Sequence, residues 1–303
     1  MAGSAKSTKN AQSAKAVSST LKLRIISGVV IIAVTLGFVV WGRWPFAVFV
    51  ALMGAGAAYE WTRMVLEENR ARVFELSAVL MFASIVLAVH LSFFTYALVF
   101  ALGFGMVLRM HAKFRGLDLG LDRLVMGFVY IGVCLSSLAF LGTYAGKEVP
   151  GPFGDMIFRA FDQNALKAMA AAVFLTVWSS DTFAYVFGKM IGGKKMAPKI
   201  SPKKTWAGLC GSMLGAGGML LLAFIGINHY FDMAMPPLYA VLCFGAFLGI
   251  VGQCGDILIS YFKRDYDLKD TGALIPGHGG ILDRIDALLL VAPFCYGAFL
   301  LTF

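Results

Sequence analysis

The residues best suited to chemistry lie between Gly255 and Asp286, in GDILISYFKRDYDLKDTGALIPGHGGILDRID. Asp256, Ser260 and Lys263 are spaced i, i+4 and i+7, so on a helix they share one face. A charged turn follows, from Lys263, Arg264 and Asp265 to Lys269 and Asp270, and it runs into Pro276-Gly277-His278-Gly279-Gly280. That segment is too rich in glycine to be helix interior. Asp283 and Asp286 then open another apolar helix at i, i+3. Helix, glycine loop and helix set two groups of carboxylates opposite each other, with backbone N–H groups and a helix N-terminus between them. Carboxylates suit a hard cation such as Mg²⁺. Loop amides, lysine and arginine suit phosphate. Together they read as a site for a metal–nucleotide or a metal–diphosphate.

A second polar centre is Ser179-Ser180-Asp181-Thr182, followed by the lysine-rich loop from Gly188 to Thr205. Ser201, Lys203, Lys204 and Thr205 precede a helix start, where Ser and Thr can cap the helix and meet phosphate. Taken alone, the lysines are ordinary charge flanking a membrane span; beside the first centre, attraction of phosphate is the stronger reading. Asp181 stands eight residues before Lys189 and Asp256 seven before Lys263, which puts them about 12 Å and about 10 Å inside their helices. Carboxylates at such depth need partners. The plainer reading of Asp181 is a packing hydrogen bond to a neighbouring Ser or Thr. His278, between glycines, suits loop geometry or contact with a leaving group. Glu60, three residues before Arg63, reads as half of an ion pair, while His90, His111 and His229 look like boundary residues. The five cysteines form no CxxC or metal spacing and read as buried free thiols.

The elements that must hold these residues are membrane helices. Of 303 residues, 59% are hydrophobic and 14% charged, with a mean hydropathy of +0.78; soluble domains carry about 25% charged residues. Apolar runs long enough to span a bilayer cover roughly 25–41, 45–62, 73–90, 92–108, 124–143, 165–188, 206–227, 238–262 and 281–302. The expected fold is therefore all-α and polytopic, with about nine transmembrane helices. The third and fourth runs are joined only by His90-Leu91-Ser92 and could form one bent segment. With a cytoplasmic N-terminus, only Arg43, Lys147, Arg159 and Lys167 of the 26 lysines and arginines fall outside, a bias that fits N-inside, C-outside. The net charge of +9 thus reports topology, and no nucleic acid is expected as a partner. Residues 1–20 read as a disordered basic tail and 21–160 as an N-terminal transmembrane region. Residues 161–303 read as the catalytic transmembrane region, with cytoplasmic loops at 189–205 and 263–280.

The run Ser260-x-Phe262-Lys263-Arg264-x₄-Lys269-Asp270-x-Gly272-x₂-Ile275-Pro276-x-His278-Gly279-Gly280-Ile281-x-Asp283-Arg284-Ile285-Asp286 resembles the full signature of the CDP-diacylglycerol synthases, or phosphatidate cytidylyltransferases. The segment from Asp181 to Thr205, with its SPKKTW run, also resembles that family, as does the span count. The likeness covers the C-terminal 40% or so of the chain; the N-terminal half matches only in being hydrophobic.

The resemblance implies the reaction of CTP with phosphatidate, Mg²⁺ with a second, monovalent cation such as K⁺, and a homodimer. It aligns Asp256 and Asp283 with metal-binding carboxylates, and Ser260 and Lys263 with polar residues beside the metals. Asp181 becomes a third ligand or a ligand orienter, and Asp286 a support behind the ligands. Arg264, Lys269, Arg284, Gly279 and Gly280 join Ser201, Lys203, Lys204, Thr205 and His278 as substrate contacts. The expected place is the bacterial cytoplasmic (inner) membrane, with the site facing the cytoplasm. The alternative from another class is a cation-coupled transporter using the same intramembrane carboxylates. Structural salt bridges to Lys263 and Arg284 are the plainer reading of these carboxylates, and a third reading is another lipid enzyme using CDP-linked or polyprenyl substrates. A CDP-alcohol phosphotransferase is disfavoured, since its Asp-rich DGxxAR-type motif is absent.

Overall fold

A computed structural model of the chain describes residues 26–66, 71–90, 121–143, 163–231, 236–275 and 279–302. Among these lie eight helices and one small hairpin. The helices are α1 (Ile26–Trp41), α2 (Arg43–Leu66), α3 (Ala71–His90), α4 (Leu121–Thr143), α5 (Gln163–Met190), α6 (Trp206–Phe231), α7 (Leu238–Asp265) and α8 (Leu282–Thr302). They match eight of the nine expected runs within a few residues, because long apolar runs bounded by charges leave the backbone no other way to satisfy its hydrogen bonds in lipid. Five of them, α3 to α7, are long and apolar enough to cross a membrane. The expected tail at 1–20, the run at 92–108 and His278 lie outside the described residues.

The loop expected at 189–205 is more ordered than its composition suggested. Strands β1 (Lys195–Ala197) and β2 (Ser201–Thr205) pair antiparallel, with Lys195 opposite Thr205 and Ala197 opposite Ser201. Thr205 then caps α6: its hydroxyl accepts the Gly208 N–H at 3.0 Å.

Two kinds of packing build the molecule. Helices α2, α3 and α4 join through large buried side chains, among them Phe46, Trp61, Met81, Ile85, Phe128 and Leu135. Helices α5, α6 and α7 join through glycine and serine. A Cβ on Gly245 would stand 2.7 Å from the Gly217 backbone, and one on Gly249 would stand 2.7 Å from the Ser212 carbonyl. Ser212 donates to the Gly249 carbonyl at 2.9 Å, shares a 2.5 Å hydrogen bond with Ser180, and lies near Ser179, whose hydroxyl donates to Gly215 O at 3.0 Å. In lipid, where no water drives helices together, such close backbone approach and interhelical hydrogen bonding hold them. Helix α8 lies against both groups, on α4 and α7, and so ties them together.

All five cysteines are free. Cys134 is buried as expected, but Cys210, Cys243 and Cys254 are exposed on helix faces. On a helix bordered by lipid a thiol is comfortable facing outward, so an apolar setting does not require protein burial.

Candidate active site

Helix α7 carries Asp256, Ser260 and Lys263 on one face, as their spacing requires. The Ser260 hydroxyl donates to Asp256 Oδ1 at 3.1 Å. Lys263, 8% exposed, crosses from α7 to α8 and places Nζ 2.7 Å from Asp283 Oδ1. The helices can meet here because Gly255 has no side chain: a Cβ there would come within 2.6 Å of the Asp286 carbonyl. One missing methyl group thus brings the two acidic elements into register.

Asp283 sits in the first turn of α8, where the helix dipole favours a carboxylate. Its second oxygen, Oδ2, accepts the Thr271 N–H at 2.9 Å and the Gly280 N–H at 3.2 Å. The glycine loop closes by an Ile275 N–H bond to the Gly279 carbonyl at 2.9 Å, with Gly279 at φ +86°. Glycine takes that left-handed conformation without the Cβ penalty.

The hairpin delivers the next charge. Lys204 Nζ lies 2.8 Å from Asp256 Oδ2 and donates to the Gln253 carbonyl at 3.2 Å. Arg264 is exposed and bonds backbone on both sides, to Ile200 O at 3.3 Å and Leu268 O at 2.8 Å. Asp181 is exposed on α5 and lies within electrostatic range of Asp256, Lys204 and Arg284. Asp286 is buried, accepts the Ala287 N–H at 2.8 Å, and lies within range of Asp256, Asp181 and Lys263. The structure therefore gathers Asp181, Lys204, Asp256, Ser260, Lys263, Asp283, Arg284 and Asp286 into one region of alternating charge.

The remaining expected residues divide. Lys203 and Lys269 are exposed, Ser201 is half-buried in β2, and Gly279 and Gly280 form the base of the loop. Thr205 is buried and its hydroxyl is engaged as the α6 cap. Asp256 and Asp283 are each engaged by a different lysine, Lys204 and Lys263. Among the described residues, no three acidic, imidazole or thiol side chains converge on one point that could hold an ion.

Sequence reasoning missed Glu60. Beyond the local partner expected in Arg63, its carboxylate makes contacts far along the chain. Glu60, 1% exposed on α2, accepts hydrogen bonds from the Thr271 hydroxyl (2.9 Å), the Ile281 N–H (3.0 Å) and the Leu282 N–H (2.9 Å). Two of these donors are backbone groups, which leave no residue-type signal in a sequence. A second tie joins the same regions: Arg123 at the start of α4 pairs with Asp265 and lies over the Tyr266 ring, 5.5 Å from its centroid. Trp61 completes it, donating to the Arg123 carbonyl at 3.2 Å and meeting Phe262 edge-on at 5.1 Å.

Comparison with known proteins extends the likeness across both halves. The family described as "Cytidylyltransferase family" matches residues 22–302. A phosphatidate cytidylyltransferase of Bacillus subtilis is 32% identical over 287 residues, covering 91% of this chain and 96% of its own. That of Brucella abortus is 31% identical over 92% of this chain and 93% of its own. That of Rickettsia typhi is 29% identical over 91% and 90%. A match from residue 22 to residue 302 takes in α1 to α4 as well as the charged region, and the chain belongs to the cytidylyltransferase family.

Proposed function

We propose that this protein transfers the cytidylyl group of CTP to phosphatidate, giving CDP-diacylglycerol and pyrophosphate for phospholipid synthesis. The observation that carries this is the pairing of Lys204 with Asp256 and of Lys263 with Asp283 beside the amides of a glycine loop. Relatives spanning most of the chain, named phosphatidate cytidylyltransferase, support it. They give no support to a cation-coupled transporter.

A phosphate monoester oxygen of phosphatidate attacks the α-phosphorus of CTP. The bond from that phosphorus to the bridging oxygen breaks, and pyrophosphate leaves. The nucleophile is ionised near neutral pH, so no strong general base is required. What the residues must supply is position and charge neutralisation. Lys263 and Lys204, now on carboxylates, are within reach of phosphates that would compete for them, and Arg264 and Lys269 extend the positive edge. Ser260 orients Asp256, and the Thr271 and Gly280 amides orient Asp283.

Asp256 and Asp283, with Asp181 near, are the groups that would hold Mg²⁺. The oxygen-only donors fit that ion, which keeps several waters and takes substrate phosphate as ligand rather than a full protein cage. When bound, the ion would neutralise charge on the α-phosphate and the leaving pyrophosphate. We assign K⁺ as a second cation and a homodimer as the assembly, both on the signature resemblance. We also assign nine spans with the N-terminus and site on the cytoplasmic side of a bacterial inner membrane, on the lysine and arginine bias and the bacterial relatives. A reporter fused after Phe303 and found in the cytoplasm would overturn that orientation.

The decisive assay supplies purified protein with phosphatidate and each of the four nucleoside triphosphates, following pyrophosphate. Phosphatidate-dependent release with CTP alone is expected. Release with every triphosphate, or with none, would overturn the proposed function.

A further inference from the structure

The N-terminal helices hold a carboxylate that none of the chemistry above uses. Glu60 is buried on α2 and accepts from three donors each more than 200 residues away in sequence. A buried carboxylate is costly unless its oxygens are satisfied, and here three donors satisfy it. Their positions are informative. Ile281 and Leu282 begin α8, so Glu60 caps that helix from another helix, supplying what an N-cap side chain ordinarily supplies from the chain itself. Thr271 is shared: its hydroxyl goes to Glu60 Oε2 and its N–H to Asp283 Oδ2. Gly280 is shared as well. Its N–H goes to Asp283 at 3.2 Å, while its Cα packs so closely on Glu60 and Thr271 that a Cβ has no room. A Cβ on Gly272 would likewise stand 2.6 Å from Glu60 Oε1.

Every backbone group that orients Asp283 Oδ2 is thus held by Glu60 or packed on it. Asp283 Oδ1 in turn holds Lys263. We infer that Glu60 is a positioning residue for the reaction, acting through Thr271, Gly280 and the first turn of α8 to set Asp283 and, behind it, Lys263. The inference rests on the proposed function for the reaction it serves, but the geometry it predicts is independent of substrate. A role in stability alone would lower the amount of folded protein and leave the turnover of each folded molecule unchanged. A positioning role lowers turnover in protein that is still folded, and it does so through Asp283.

The test uses full-length protein with Glu60→Gln, Asp283→Asn and the double variant, with Thr271→Val as a milder change. Turnover is measured per folded molecule, beside amide hydrogen exchange of the segment 271–283. Glu60→Gln is expected to lower kcat about 10–100-fold, the range for residues that orient metal ligands, with KM for CTP nearly unchanged. The Ile281 and Leu282 amides should exchange at least about tenfold faster, corresponding to loss of at least one hydrogen bond of about 1.4 kcal/mol. The Glu60 and Asp283 effects should be strongly non-additive. Unchanged kcat per folded molecule in Glu60→Gln, or additive effects in the double variant, would overturn the inference. If Glu60→Gln does not fold, Thr271→Val decides: full kcat with slow exchange at 281–282 overturns it, and a partial loss of kcat sustains it. A wild-type protein that makes no CDP-lipid would sink the proposed function, while faster exchange in Glu60→Gln would still stand.

Discussion

Helices α2 to α4 and helices α5 to α7 occupy the same kind of environment and hold together in different ways. In the first group, rings and branched chains fill the gaps: Trp61 lies over Gly127, and Phe46, Met81, Ile85 and Leu135 are wholly buried. In the second, backbones touch, and serine hydroxyls bridge α5, α6 and α7. A side-chain core tolerates small adjustments of axis and tilt. A backbone contact fixes helix separation closely, because nothing soft lies between. Asp181, Asp256, Lys263, Asp283 and Asp286 are on this closely packed group and on α8 beside it, and the hairpin at its edge brings Lys204 to Asp256. The chain thus sets close backbone contact beneath the paired charges, while the side-chain core of α2 to α4 reaches the site through Glu60.

The comparison can be broken most forcefully at the charges. Asp283→Asn removes one charge partner of Lys263 and weakens two loop contacts; we expect pyrophosphate release to fall by at least about 100-fold, as loss of a charge-orienting group costs in other transfer sites. Substantial activity in a folded Asp283→Asn protein would remove that residue from the chemistry. Next in size is Gly255→Leu, which drives a side chain into the α8 backbone at Asp286. It should cost roughly 1–3 kcal/mol or more in stability and most of the activity, read as a lowered Tm in detergent and a lost turnover. Lys204→Ala should be milder, about tenfold, concentrated in KM for CTP, since Lys203 and other hairpin lysines keep part of the field. Leu135→Ala in the first group should act oppositely. It leaves a cavity costing about 2 kcal/mol or more, so Tm falls while turnover per folded molecule stays at the wild-type value. If Leu135→Ala reduced turnover as strongly as Gly255→Leu, the two packing regimes would not differ in function.

Much of this was legible in the amino-acid order. Helix positions followed from apolar runs and flanking charge, and the shared face of Asp256, Ser260 and Lys263 followed from spacing. Three features were not legible. Glu60 reads locally as a partner for Arg63, and nothing in the sequence announces the two backbone amides and the hydroxyl that folding brings to it. The hairpin at 195–205 hides in a stretch of lysine, proline and glycine that looks like loop, since strands of three and five residues carry too little alternation to register. The pairing of Asp256 with Lys204 also escaped, because Asp256 reads as a metal ligand and Lys204 as a phosphate contact rather than as partners. In each case the missing information was a contact between elements, which no periodicity encodes.

The hairpin itself has a consequence for how a polyanion is received. It is stapled to α7 at two heights: near its turn through Ile200 to Arg264, and near its base through Lys204 to Asp256 and Gln253. A free lysine-rich tether would have to be frozen before it could grip anything, at an entropic cost of roughly 0.5–1.5 kcal/mol for each long side chain and more for its backbone. Here the scaffold of that grip is already still. Under the proposed function, a triphosphate reaching the hairpin would meet a backbone already in place, with only the lysine side chains left to order.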